Sequence, residues 1–261
     1  SYFPRLIKME IKISVNESLK IGGILRTMYD PRNNLVGSYL NFVRWTKPKI
    51  VLMENVPGLK NKYDGKFYNS VVNGLSEEGF DVYSKILDSS DFGVPQKRKR
   101  IFIIGTKCDW DYIFPMENNA NFRNLMSRKN VGEAIMDLVN SKSAINHQAL
   151  NHSEKVIRRY EHIPEGGKLP PPEELPIDIR RKNFGNTYQR LDRKKPSTTM
   201  VPGNNAFPVH PTLNRSLTPR EAARLQSFSD EHEFFGSRKM QCKLVGHAVP
   251  PLLAAVLANS R

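Results

Sequence analysis

The chain has 261 residues, 39% hydrophobic and 25% charged, a composition that suits an ordinary globular protein with a sizeable core. Forty Lys and Arg against 26 Asp and Glu leave a formal charge of +14; a polyanionic partner is expected, the alternative being a generically basic, solvated surface. No run approaches the ~18 apolar residues of a membrane helix, and Cys108 and Cys242 sit in no CxxC or His-rich context. A membrane partner, a disulfide framework and a metal site are therefore not expected, and the cytoplasm is the expected location.

Glu10–Val15 alternates polar and apolar residues like a short strand, and Asp30-Pro31-Arg32-Asn33 reads as a turn. Leu35, Val36, Tyr39, Leu40 and Val43 recur at helical spacing, predicting a helix over Leu35–Trp45 that ends before Pro48. Ile50–Met53 then reads as a strand, Phe67–Glu78 as a helix closed by Gly79, and Val82–Leu87 and Ile101–Gly105 as further strands. This alternation predicts an α/β unit with a mainly parallel sheet. From about Lys107 to Asn214 the pattern weakens into a loop-rich region punctuated by Gly166-Gly167 and Pro170-Pro171-Pro172, which reads as a separate small lobe. Thr218-Pro219 marks a helix start, and a last helix follows Pro250-Pro251.

Two segments carry the chemistry. Ile50–Leu59, IVLMENVPGL, ends an apolar strand on Glu54, followed by an Asn-Val-Pro-Gly turn. Ligands of open parallel sheets bind at strand C-termini, so Glu54 stands where a substrate is met; taken alone it also suits a surface ion pair with a lysine. In Ser89–Gly105, SSDFGVPQKRKRIFIIG, strand alternation places Gln96, Arg98 and Arg100 on one face and Lys97 and Lys99 on the other. Two cations facing one cleft call for carboxylates or an anionic substrate, and the alternative is a solvated basic patch contacting phosphates.

Both segments resemble the DNA (cytosine-5) methyltransferase family of bacterial restriction–modification type, which carries a Glu-Asn-Val and a Gln-x-Arg-x-Arg element in this order. RSLTPREAARLQSF (Arg215–Phe228), TYQRLDRKKPSTTMVPG (Thr187–Gly203), His210-Pro211 and VGHAVPP (Val245–Pro251) also resemble family segments, and HSEKVIRRYEHIPEGG (His152–Gly167) looks like the start of a target-recognition region. His247 and Leu244 depart from the Asn and Gln usual there. No Asp/Asn-Pro-Pro-Tyr element is present, which disfavours methylation of exocyclic amines.

The resemblance implies a partial, Rossmann-like S-adenosylmethionine-dependent methyltransferase sheet in residues 1–106, a target-recognition lobe in 107–214, and a segment in 215–261 returning to the catalytic domain. It implies methylation of cytosine carbon 5 in a specific double-stranded DNA sequence, on a base flipped from the stack. Glu54 would hydrogen-bond N3 and the exocyclic amine, with Asn55 and Gln96 supporting; Arg100 would contact the base and Arg98 brace the pocket. His247, Ala248 and Val249 would stand beside S-adenosylmethionine, and Lys155, Arg158, Arg159, Arg180, Arg181 and Lys182 would meet phosphates or base edges. The family's Phe-x-Gly-x-Gly loop, the acidic residue for the ribose and the nucleophilic cysteine of a Pro-Cys-Gln loop are not in this sequence. Cys108, after the arginine element, cannot replace that thiol by position, and Cys242 lies near the C-terminal element. Three readings stay open: a fragment or one half of a split enzyme, inactive without an N-terminal half on a separate polypeptide; a catalytically dead remnant; and a sequence-specific DNA-binding module.

Overall fold

The computed structural model describes residues 35–115, 129–141, 143–181, 187–201 and 207–260; the strand-like Glu10–Val15, the Asp30–Asn33 turn and Lys182 lie outside them. The described residues fall into two compact units, one running to Ser84 and adding Ile101–Asp109, the other comprising Lys85–Arg100 and the chain from Trp110 onward.

In the first unit, helix α1 (Leu35–Thr46) buries Tyr39, Leu40 and Val43, as its spacing predicts. It ends where Lys47 takes a left-handed φ of 44° ahead of Pro48. Strand β1 (Ile50–Asn55) follows, then α2 (Lys66–Glu77), β2 (Asp81–Asp88) and β3 (Lys99–Thr106), the last two strands continuing across the unit boundary. Helices α1 and α2 approach so closely that a Cβ on Gly74 would stand 2.5 Å from Leu40 Cδ1. Val51 and Met53 of β1 join Leu40, Val43, Val71, Leu75, Ile101 and Ile103 in one apolar cluster.

The sheet order is β1-β3-β2, and β1 pairs antiparallel with β3, Glu54 opposite Phe102 and Asn55 opposite Ile101. This corrects the expectation of a mainly parallel sheet. The joint from β2 to β3, residues 89–98, carries no crossover helix of the kind parallel neighbours require.

The second unit is held by irregular backbone more than by regular elements. Helices α3 (Val131–Ile135), α4 (Glu154–Glu161), α5 (Pro219–Leu225), α6 (Arg238–His247) and α7 (Pro251–Ala258) are short. Helix α5 opens on a capping box between Thr218 and Glu221 with Pro219 in its first turn. One core gathers Val131, Ile135, Leu191, Met200 and Phe207 with Ala222, Leu225, Cys242 and Val245; the segments expected as lobe and C-terminal return thus share a core. A smaller core packs Tyr160, Ile163, Leu169, Leu175, Ile179, Tyr188 and Val209. The stretch Arg238–Ala258 is apolar enough by composition to span a membrane, but it divides into α6 and α7 at Ala248–Pro250, and Cys242, Val245, Leu253, Val256 and Leu257 are buried.

Candidate functional site

Glu54 and Asn55 stand at the C-terminal end of β1, in the first unit. Asn55 Oδ1 accepts from the backbone N–H of the next residue, Val56, at 2.8 Å, just before the helical turn Pro57–Leu59. Glu54 is half-buried.

In the second unit, the loop that presents the arginine element is built around Asp88. Its Oδ1 accepts from Ser90 N at 3.1 Å, Ser90 Oγ at 3.0 Å and Arg98 N at 3.1 Å. Ser89 closes the loop again, its N–H donating to Arg98 O at 3.1 Å and its hydroxyl to Gln96 O at 2.7 Å. The alternation read from the sequence is present: Gln96 and Arg98 are buried at 0% and 2% exposure, while Lys97 and Lys99 are exposed. Arg100 is half-buried, its Nη1 donating to Lys99 O at 2.7 Å.

The segment Ser197–Met200 runs alongside this loop. Lys97 N donates to Ser197 O and Ser197 N to Pro95 O, each at 2.9 Å; Thr199 Oγ1 donates to Lys97 O at 2.7 Å, and Arg98 Nη1 to Met200 O at 3.4 Å. Beside it lies a cavity of about 460 Å³ whose lining includes Lys97, Lys195, Ser197, Thr198 and Thr199. The buried hydroxyls of Ser197 and Thr198 have no hydrogen-bond partner among the described residues. Sequence reading missed this pairing; the one available signal was the STTM string inside a segment already set apart by its resemblance.

His247 ends α6, and Ala248 leaves it in extended conformation. Desolvation of the ring, then the charges of Lys243 and Arg98, lower the His247 pKa. The cationic groups beside His247, Lys243 and Arg98, give no attraction to a positively charged sulfonium. Among the described residues, those around His247 do not by themselves fit S-adenosylmethionine.

Most basic residues expected to meet DNA are tied into the small core. Arg158 pairs with Asp178, Arg159 Nε donates to Ile179 O at 2.8 Å, and Arg180 Nε to Leu175 O at 3.1 Å. The Arg181 guanidinium lies 5.6 Å from the Tyr188 ring centroid, and Lys155 is exposed on α4.

Two further ionic centres, unmarked at the sequence level, organise the unit. Arg190 donates all five N–H groups: Nε to Ile163 O, Nη1 to His210 O and Leu213 O, Nη2 to Tyr160 O and Asn214 Oδ1. Glu221, fully buried, accepts from Arg215 at 2.8 and 2.7 Å and from Thr218 N at 2.8 Å. Burial alone would raise its pKa; the hydrogen bonds and charge of Arg215, then His210, more than reverse that, and the net shift is downward.

The family model for C-5 cytosine-specific DNA methylases matches residues 18–260. The chain belongs to that family. Among curated relatives, the C-5 methylase chain is 36% identical to the type II methyltransferase M1.HphI of Haemophilus parahaemolyticus over 92% of its own length and 63% of that protein's. It is 34% identical to M.NgoFVII of Neisseria gonorrhoeae over 88% of its length and 62% of the relative's. It thus spans less than two thirds of these curated relatives. The fold agrees: a prophage-encoded E. coli protein described as a DNA modification methyltransferase superposes with a TM-score of 0.68 at 23% identity, covering 87% of this chain and 73% of that one. The S. pombe Dnmt2 methyltransferase gives 0.59 at 16%, covering 90% and 73%.

Proposed function

We propose that this C-5 methylase chain forms one part of an enzyme that transfers a methyl group from S-adenosylmethionine to carbon 5 of cytosine in duplex DNA, the thiol and most of the cofactor site lying on another polypeptide segment. The observation that carries this reading is the alternation along Gln96–Arg100, which holds Gln96 and Arg98 inside the fold and leaves the lysines outside.

Carbon 5 of cytosine is not nucleophilic until a thiolate adds to carbon 6. The negative charge that develops in the ring is met by a proton held at N3. Glu54 is assigned that position, its carboxyl sharing a proton with N3 and accepting from the exocyclic amine, and Asn55 beside it bonds the backbone N–H of Val56. Arg100 is assigned to the base and Arg98 to bracing; the Arg98 bond to the Met200 carbonyl supports the bracing role. The unpartnered hydroxyls of Ser197 and Thr198, beside Lys97 and Lys195, suit an anionic backbone phosphate. The alternative of a module that recognises DNA through the lobe alone finds less support, because Arg158, Arg159 and Arg180 are engaged within the lobe.

The test combines the purified chain with a separately expressed polypeptide carrying a Phe-x-Gly-x-Gly loop and a Pro-Cys-Gln loop, and follows labelled methyl groups into DNA. Transfer is expected from the mixture. The chain alone is expected to give neither transfer nor a covalent adduct with 5-fluorocytosine DNA. Transfer by the chain alone, or none by the mixture, overturns the proposal.

A further inference from the structure

The small core that holds α4 turns its arginines inwards and an aliphatic side chain outwards. Ile177, in the 3-10 turn Ile177–Ile179, is 82% exposed, the highest value among the large apolar side chains of the described residues. Single apolar groups are common on surfaces, but this one is fixed in place. Arg158 of α4 pairs with Asp178, Arg159 Nε donates to Ile179 O at 2.8 Å, and Arg180 Nε reaches back to Leu175 O at 3.1 Å. Leu175 and Ile179, on either side of Ile177, are buried, and Pro176 restricts φ at the residue before it. Three arginines therefore brace a turn whose projecting group is one branched aliphatic side chain.

We propose that Ile177 is a specificity-determining residue, which reads the 5-methyl group of a pyrimidine in the major groove of the target duplex. The proposal rests on the functional reading above, with residues 107–214 as the target-recognition lobe, and names one feature of the sequence that is read. Base edges in the major groove present hydrogen-bond donors and acceptors, and the pyrimidine methyl is their one apolar feature. An aliphatic side chain brought to the groove has no other partner of its own kind. Thymine and 5-methylcytosine both carry that methyl group. Lys168, Arg180 and Arg181, exposed in the same stretch, attract the backbone. Glu173 and Glu174, exposed just before the turn, keep a phosphate off the turn itself and can accept from a cytosine amine at a neighbouring pair. A braced turn suits readout, because a group already ordered loses little entropy on binding. Phe235 and Trp45 are also exposed, at 72% and 80%, but they lie outside residues 107–214.

The probe is a randomised duplex DNA library prepared in three forms: unmodified, with uracil in place of thymine, and with 5-methylcytosine in place of cytosine. Duplexes retained by the full chain, alone and mixed with the separately expressed polypeptide, are sequenced, and methyl transfer to the two libraries with unmodified cytosine is followed. One pair of the selected sequence is expected to depend on a pyrimidine methyl group. Uracil for thymine at that pair removes the methyl and nothing else, and should weaken binding about fourfold, the effect of one buried methyl group. Loss in the uracil library assigns the contact to thymine, and a similar gain in the 5-methylcytosine library assigns it to that base. Ile177→Ala, checked for native circular dichroism, should erase the difference between libraries and leave the other positions of the sequence unchanged. Phe235→Ala, at another exposed apolar position, should alter neither. Equal behaviour of the three libraries, absence of any sequence selection, or a methyl effect that survives Ile177→Ala overturns the proposal. Methyl transfer to a sequence indifferent to Ile177 refutes the readout and keeps the function; Ile177-dependent selection without transfer by the mixture keeps the readout and refutes the function.

Discussion

The Asp88 carboxylate accepts a hydrogen bond from the backbone N–H of Arg98 at 3.1 Å, so one side chain ties the end of β2 to the element that carries both arginines. The same oxygen takes two bonds from Ser90 and caps the short 3-10 helix Ser89–Phe92 that opens the intervening loop. Asp88→Ala removes all three acceptor interactions. It is expected to cost about 1–3 kcal/mol, read as a lower urea midpoint at unchanged slope. A midpoint equal to that of the parent would show that the loop is held by other means.

Arg98 and Arg100 are expected to separate cleanly. Arg98→Ala empties a position 2% exposed and frees the Met200 carbonyl, so stability should fall by about 2 kcal/mol. Arg100→Ala should leave stability within about 0.5 kcal/mol and lower the turnover of the reconstituted enzyme at every DNA sequence alike. Glu54→Gln in the same enzyme should lower turnover by roughly 10²–10⁴-fold with a milder effect on DNA binding. Near-normal turnover of the Glu54→Gln enzyme would remove that residue from the chemistry.

Stability should decline with acid earlier than carboxylates alone would require. His210 is fully buried, and its Nδ1 accepts from the N–H groups of Thr212 and Leu213, each at 3.2 Å, leaving the ring proton on Nε2, 3.7 Å from Glu221 Oε1. Burial, partly opposed by Glu221, lowers its pKa from 6.5 to about 4. The folded pKa is thus below the unfolded one, so the unfolded chain takes the proton first. Stability is full above about pH 6.5, erodes as pH falls towards 4, and changes by about 3 kcal/mol over that window. His152, lowered by burial and by Arg238 and Arg215, adds in the same direction. Glu221, with its pKa also depressed, extends the loss to lower pH. Urea midpoints between pH 7 and 4 check this: His210→Gln should flatten the profile, and an unchanged slope would contradict the assignment.

Salt dependence distinguishes structural from DNA-facing cations in the lobe. Lys155→Ala should reduce the log–log salt slope of DNA binding by about 0.9, the release expected for one phosphate contact. Arg159→Ala, which breaks the bond to Ile179 O, should leave that slope unchanged and lower the melting temperature. The opposite pattern would move the DNA-facing surface to the Arg159 side of α4.

What was legible in the sequence was local. Tyr39, Leu40 and Val43 fixed α1 by spacing, and Thr218-Pro219 marked the start of α5; the structure adds Glu221 as the capping-box partner. Helix α6 escaped because it buries only Cys242, Val245 and Gly246 amid charged residues, too few to print a period. The antiparallel entry of β3 beside β1 and the pairing of Ser197 with Pro95 and Lys97 depend on partners distant in the chain, which no local pattern encodes. Nothing in the sequence marked Arg190 or Arg220 for the interior; both are buried because their donors meet carbonyls that any sequence possesses.

That last point bears on how such a lobe changes over evolutionary time. Four of the five acceptors gripped by Arg190 are main-chain oxygens, at Tyr160, Ile163, His210 and Leu213. Replacing the side chain at Ile163 or Leu213 leaves the acceptor in place, so the strands of loop converging there can be rewritten residue by residue while their anchorage persists. A single guanidinium therefore separates the heritable frame of the lobe from the wording displayed upon it.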